Sequence, residues 1–185
     1  NNTPVQLNQP YFKYKTGDEQ NVTGGITFKY DTDAPKITDF WLYKMETPGQ
    51  GETALTVNQI MSLDNDADDD NDPAWTNKRD TVFGKDYNLL YAKVIVDEGT
   101  EMRELSGSNG AVPTSSPITI SYKQQEDVEY SYNREQILCA HEDNSTIYTY
   151  YLGPIVMDTT EKTDFTVTAY DGVGLSGSSK ISIIV

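Results

Sequence analysis

The sequence predicts an all-β fold of two antiparallel layers packed face to face, with a short inserted helix and an acidic loop. Residues 165–185 point to it most strongly, because they read as a complete β-hairpin. Phe165, Val167 and Ala169 put apolar side chains on one face while Thr166, Thr168 and Tyr170 fall on the other, the period of two of a half-buried strand. Asp171 and Gly172 open a glycine-rich turn in which Gly174 and Gly177 supply backbone freedom, and residues 180–185 resume the alternation. Similar short segments recur along the chain with polar turns between them, the spacing of a sandwich or barrel. Aromatic residues make up 11% of the chain, with thirteen Tyr, five Phe and two Trp. That supply favours strands and opposes disorder despite a mean hydropathy of −0.60.

In chain order, Tyr11–Lys15 alternates aromatic and basic residues, and Gly24–Tyr30 carries Ile26, Phe28 and Tyr30 on one face. Ile37–Met45, with Phe40, Trp41 and Tyr43, is expected to run through the core. Leu89–Val96 is nearly all apolar and is the best candidate for a central strand. Ile118–Tyr122, Gln136–Ala140 and Ile147–Leu152 complete the set before the hairpin. Residues 46–87 are too long for a sandwich loop and imply an inserted element. Within them Thr56 and Gln59 form a capping-box pair, and Val57, Ile60, Met61 and Leu63 make one apolar stripe at helical spacing. Residues 99–117 are rich in Ser, Gly and Pro and read either as a linker between two domains or as a long loop within one. The chain beyond them is short for a second sandwich, which favours a single elaborated domain over 1–185.

A chain of 185 residues can bury roughly 70% of its unfolded surface. The formal charge of −15, with fourteen scattered basic residues, opposes a nucleic-acid partner and docking on anionic lipid. No apolar run approaches the ~20 residues of a membrane span, so no transmembrane segment is expected. The single Cys139 excludes an intrachain disulfide, and its setting in Ile137–Ala140 predicts a buried strand thiol.

The sharpest chemical signal is Asp64–Asp72, with six carboxylates in nine residues. Asp64, Asp66, Asp68, Asp70 and Asp72 alternate and are candidate oxygen ligands for Ca2+, which takes six to eight oxygens. Carboxylates at a helix C-terminus also oppose the helix dipole unless a cation is bound. The run departs from the EF-hand pattern, with Asp69 in place of the turn glycine and Trp75 in place of the bidentate glutamate. A solvated acidic loop is the competing reading. His141, the only histidine, cannot complete a zinc site with one cysteine. Cys139 and His141 are expected on opposite faces of their strand, which leaves no thiol–imidazole pair, and no Gly-x-Ser-x-Gly elbow is present. No acid stands isolated among apolar and aromatic residues as a glycosidase acid would, so catalysis is not expected. Tyr130, Tyr132, Tyr148, Tyr150, Tyr151 and Trp75 are candidates for stacking on a sugar or forming an interface, or else for lining strand faces.

The closing run from Phe165 through Ser176 resembles the end of bacterial immunoglobulin-like and fibronectin type III-like modules, in which a Thr-Val-x-Ala-x-Asp-x-x-Gly-x-x-Ser strand and turn precedes the terminal strand. Gly25–Asp31 and Lys36–Tyr43 resemble their second and third strands, with Trp41 as the core tryptophan. The composition is similar to that of secreted or lipid-anchored surface proteins of gut Bacteroidetes. The resemblance implies an Ig-like antiparallel β-sandwich, exported to the cell surface (as an outer-membrane lipoprotein) or the periplasm. It also implies a non-catalytic module for binding or adhesion, with a protein or glycan partner, to which the Asp64–Asp72 run adds stabilisation by Ca2+. A carbohydrate-binding or carbohydrate-active accessory domain of a glycan-uptake system is the alternative. No functional residue transfers, since the shared motif is structural.

Overall fold

The computed structural model describes residues 20–22, 26–28, 31–45, 53–65, 75, 77, 81–82, 89–108, 110–123, 127–129, 132–157 and 162–184. The expected strand at Tyr11–Lys15 lies outside the described residues. Among the described residues the protein is mostly β, with two largely antiparallel sheets, a two-stranded pair and one short α-helix. In chain order the strands are β1 (Gln20–Val22), β2 (Ile26–Phe28), β3 (Lys36–Met45), β4 (Thr81–Val82), β5 (Leu89–Asp97), β6 (Ile118–Lys123), β7 (Asp127–Glu129), β8 (Ile137–His141), β9 (Ile147–Val156), β10 (Lys162–Tyr170) and β11 (Ser176–Ile184). Helix α1 spans Val57–Asn65. One sheet has the order β4-β11-β10-β6-β7, the other β3-β5-β9-β8, and β1 pairs with β2. Only the β4–β11 pairing is parallel among these strands.

Alternation sorts the side chains as expected. Phe165, Val167 and Ala169 of β10 and Ile118 and Ile120 of β6 are fully buried. They share one apolar core with Phe40 and Leu42 of β3, Leu90, Ala92, Val94 and Val96 of β5, and Leu152 of β9. The core therefore lies between the two sheets, where burial of apolar area is the main stabilising force. The hairpin register runs unbroken from Lys162↔Ile184 to Tyr170↔Ser176. Leu89–Asp97 is central as expected, paired to β3 on one side and β9 on the other.

Among the described strands β3 lies at the edge of its sheet, paired with β5, and Phe40 and Leu42 enter the core as expected while Trp41 does not. Its register slips between Ile37 and Asp39, a bulge that turns Phe40 and Leu42 inward and leaves Trp41 on the outer face. Trp41 is half-buried and belongs to neither core cluster. Gly177 is also not needed for turn freedom. A Cβ there would lie 1.9 Å from the Pro35 carbonyl oxygen, so the glycine permits close approach of two backbones.

The inserted helix covers the outer face of the β3-β5-β9-β8 sheet. Val57 and Ile60 are buried against Tyr91 and Tyr151, with Tyr43, Met45, Leu55, Met61 and Trp75 around them. Its capping box forms: Gln59 N donates to Thr56 Oγ1 at 3.3 Å and Thr56 N donates to Gln59 Oε1 at 2.9 Å. Tyr91 faces the helix by the alternation of β5, between Leu90 and Ala92 of the core, and β9 bulges opposite it, between Leu90↔Ile155 and Ala92↔Leu152. Gly153 sits in that bulge at φ +141°, and a Cβ there would meet Tyr91 Cδ1 at 2.6 Å. Residues 99–117 cross one margin of the two sheets, tied by the bridges Met102↔Asp171 and Ser106↔Ser115. Among the described residues no helix is long and apolar enough to cross a membrane.

Candidate functional site

Asp64 is the one member of the acidic run within the described residues; Asp66, Asp68, Asp70 and Asp72 lie outside them. Near the C-terminal end of α1, Asp64 accepts hydrogen bonds through Oδ2 from Lys93 Nζ at 2.5 Å and from the Tyr151 hydroxyl at 2.6 Å. The side chains of this ion pair are 9% and 22% exposed for Asp64 and Lys93. Lys93 also lies 5.8 Å from the Trp75 ring centroid and 5.9 Å from that of Tyr151. The unfavourable meeting of an anion with the helix terminus is thus relieved by a protein cation. Tyr151 is pushed to a higher pKa by burial and by its bond to Asp64. At the other end of the helix, the Tyr91 hydroxyl donates to the Leu55 carbonyl at 2.7 Å, and burial pushes its pKa up to about 12. Two tyrosines of the sheet therefore hold the helix at its two ends.

Among the described residues, concave surface lies along strand β8. A hollow of about 530 Å³ is lined by Glu101, Arg103, Cys139, His141, Tyr148 and Tyr150, among others, between β8 and the 101–105 segment. A second, of about 570 Å³, lies beside the same strand and reaches Met61 of the helix, Leu138 and Ile147. His141 stacks on Tyr148 with centroids 3.9 Å apart and planes 2° from parallel. Its Nδ1 lies 3.0 Å from the Ile147 carbonyl, which fixes the ring when Nδ1 carries the proton. Arg103 lays its guanidinium on the Tyr170 ring at 4.1 Å.

Two expectations fail at this strand. Cys139 is exposed and lines the hollow beside the 101–105 segment. Its thiol is nonetheless pushed up by desolvation in the hollow, partly offset by a hydrogen bond with Tyr150. Cys139 and His141 also share a face, as residues two apart on a strand must, and both line the same hollow. A raised thiol pKa is the wrong direction for a nucleophile.

Most of the expected aromatic binders are structural. Tyr132, Tyr150 and Tyr151 are buried, and Trp75 packs on Tyr43 and Tyr151 beneath the helix. Tyr130 lies outside the described residues. Tyr148 alone of the group faces a hollow while half-buried.

No protein-family model, curated protein or solved structure matches this chain.

The residues that sequence reasoning missed are acidic and enclosed. Asp31, Glu98 and Asp171 are 7%, 4% and 0% exposed. Asp171 was legible only as a turn residue, and its Oδ1 does accept from the backbone N–H groups of Val173, Gly174 and Leu175. Burial pushes the Glu98 carboxyl up, with Asp31 and Asp171 adding to the rise and hydrogen bonds from Thr100 opposing it.

Proposed function

We propose that this chain is a non-catalytic binding or adhesion module of Ig-like sandwich type, exported to the cell surface or periplasm of a Gram-negative bacterium of the Bacteroidetes kind. The observation that carries the reading is the rim of β8. There a rigid edge strand, flanked by two hollows, presents the parallel His141–Tyr148 stack beside Arg103, Glu101 and Glu104. Concave, partly apolar surface with a few polar groups is what a ligand-binding rim needs. Glu98, the described carboxyl whose pKa is raised, lines neither hollow. Calcium in the 64–72 loop remains part of the proposal, with Asp64 as the ligand that would have to share its charge with Lys93.

The second reading, a carbohydrate-binding accessory domain, is favoured by the stacked aromatic platform, since a flat ring face suits a sugar face. A glycan array separates the two. Specific sugar binding that is lost in His141→Ala and Tyr148→Ala supports the carbohydrate reading. A silent array, together with adhesion to immobilised host protein that weakens in Arg103→Ala, supports the protein-binding one. Loss of neither interaction in these variants would remove the β8 rim as the site.

A further inference from the structure

A sheet edge presents unpaired N–H and C=O groups to any passing strand, and folded proteins guard theirs with brevity, charge, proline or a bulge. Among the described strands, three of the four ends of the two larger sheets are guarded in this way. β4 and β7 span only two and three residues. β3 carries Lys36, Asp39 and Lys44, and its register is broken by the bulge between Ile37 and Asp39. β8 is the exception. Its five residues, Ile137–His141, include no Lys, Arg, Asp, Glu, Pro or Gly. They pair with β9 in unbroken register, and no described strand pairs with their other side.

The two hollows follow this strand. Ile137 lines the first, Leu138 and Ala140 line the second, and Cys139 and His141 border both. Successive side chains of β8 thus point toward different hollows, one on each face of the sheet. An added strand continues that alternation, so its side chains enter the two hollows in turn while its backbone pairs with β8. The hollows differ in character. Glu101 and Glu104 line the first, where the Arg103 guanidinium is laid on the Tyr170 ring. The second offers Met61, Leu138 and Ile147 together with Glu142, and Ile147 is a large apolar side chain left 41% exposed.

We propose that the open edge of β8 takes up an extended segment of another protein as an added strand, a segment in which basic and apolar residues alternate. This rests on the β8 rim being the binding surface, and it names the partner that the rim takes. Basic side chains meet Glu101 and Glu104, and apolar ones cover Ile147, Leu138 and Met61. β8 accommodates about five residues of the guest, roughly 17 Å of extended chain. Charge selects against a second copy of this chain, because two molecules of net charge −15 repel while a basic segment is steered in.

The test is binding of the whole chain to synthetic peptides of about nine residues, enough to span β8 and overhang both ends. One set alternates Lys or Arg with Val, Ile or Phe. A second has the same composition with the basic residues in one block, and a third alternates Asp or Glu with the same apolar residues. The alternating basic set is expected to bind, and each of the others to bind at least about tenfold more weakly. Methylating alternate backbone amides of the best binder should abolish binding in one phase and spare it in the other, because only every second N–H of a strand faces a given neighbour. Cys139→Lys places a cation on the open edge and should weaken binding by about tenfold or more, as should Glu101→Gln combined with Glu104→Gln. The double variant alters only exposed side chains, so it reports even if Cys139→Lys fails to fold. The proposal is overturned if the alternating basic set does not bind, if either other set binds equally, if methylation acts alike in both phases, or if either folded variant keeps full affinity. A wild type that dimerises, with the dimer lost in Cys139→Lys, makes a second copy the occupant and also overturns it. If the peptides are silent while sugar binding or adhesion still depends on Tyr148 or Arg103, strand addition fails and the reading of the rim stands.

Discussion

At the scale of single residues, the positions that sequence reasoning missed carry the most unusual chemistry. Glu98 has its pKa raised above the ordinary 4.5, first by burial and then by Asp31 and Asp171. A carboxyl whose folded pKa exceeds its unfolded value contributes stability that is complete below the unfolded pKa. That contribution is lost as pH rises through the folded value. The wild type should therefore lose stability as pH climbs from 4.5 through the raised pKa, while Glu98→Gln shows a flatter profile over the same window. Urea midpoints measured across pH 4 to 8 (roughly the window that linkage sets) check this. Parallel profiles for the two proteins would mean that Glu98 titrates normally. Gly153 shows the other kind of residue-scale constraint. Its φ of +141° and the closeness of Tyr91 make the site intolerant of any side chain, which no local pattern in Tyr-Leu-Gly-Pro announces.

At the scale of elements, α1 was legible because its information is local. A capping pair three residues apart and an apolar stripe at helical spacing are read directly from residues 56–63, and both are present in the folded protein. What the helix leans on was not legible. The Asp64–Lys93 pair joins residues 29 apart and the Tyr151–Asp64 bond joins residues 87 apart. Replacing Lys93 by Met leaves Asp64 largely enclosed without its counter-charge, and should cost about 2 kcal/mol, below the ~3–5 of a fully buried pair because Lys93 is partly exposed. Adding Asp64→Asn, which keeps an acceptor for Tyr151, should recover most of that loss in chemical denaturation. A single variant as stable as the wild type would show that the helix end is not held by this pair.

At the scale of the whole molecule, stability should be graded from the shared core outward. β5 and β10 are each hydrogen-bonded on both sides, and their inward residues are enclosed between the sheets. The helix, in contrast, is docked on an outer face by one small cluster and its end contacts. Native-state hydrogen exchange is expected to find the slowest amides in Leu90–Val96 and Phe165–Ala169, exchanging only on global unfolding. The amides of α1 should exchange earlier, by local undocking. Equal protection in helix and central strands would instead make the helix part of the same cooperative unit.

The sequence by itself determined the alternating faces, the closing hairpin, the central position of Leu89–Asp97 and the capped helix. Each of these depends on neighbours within a few residues, where side-chain period and turn chemistry are written directly in residue order. Only the tertiary structure decided that Ile37–Met45 is an edge strand with Trp41 outside the core, and that Cys139 and His141 share an open face. It also decided that Asp31, Glu98 and Asp171 are enclosed. Which strand ends a sheet, and which loops meet beyond it, follows from pairings between distant segments, and those are settled by the packing of the two layers as a whole.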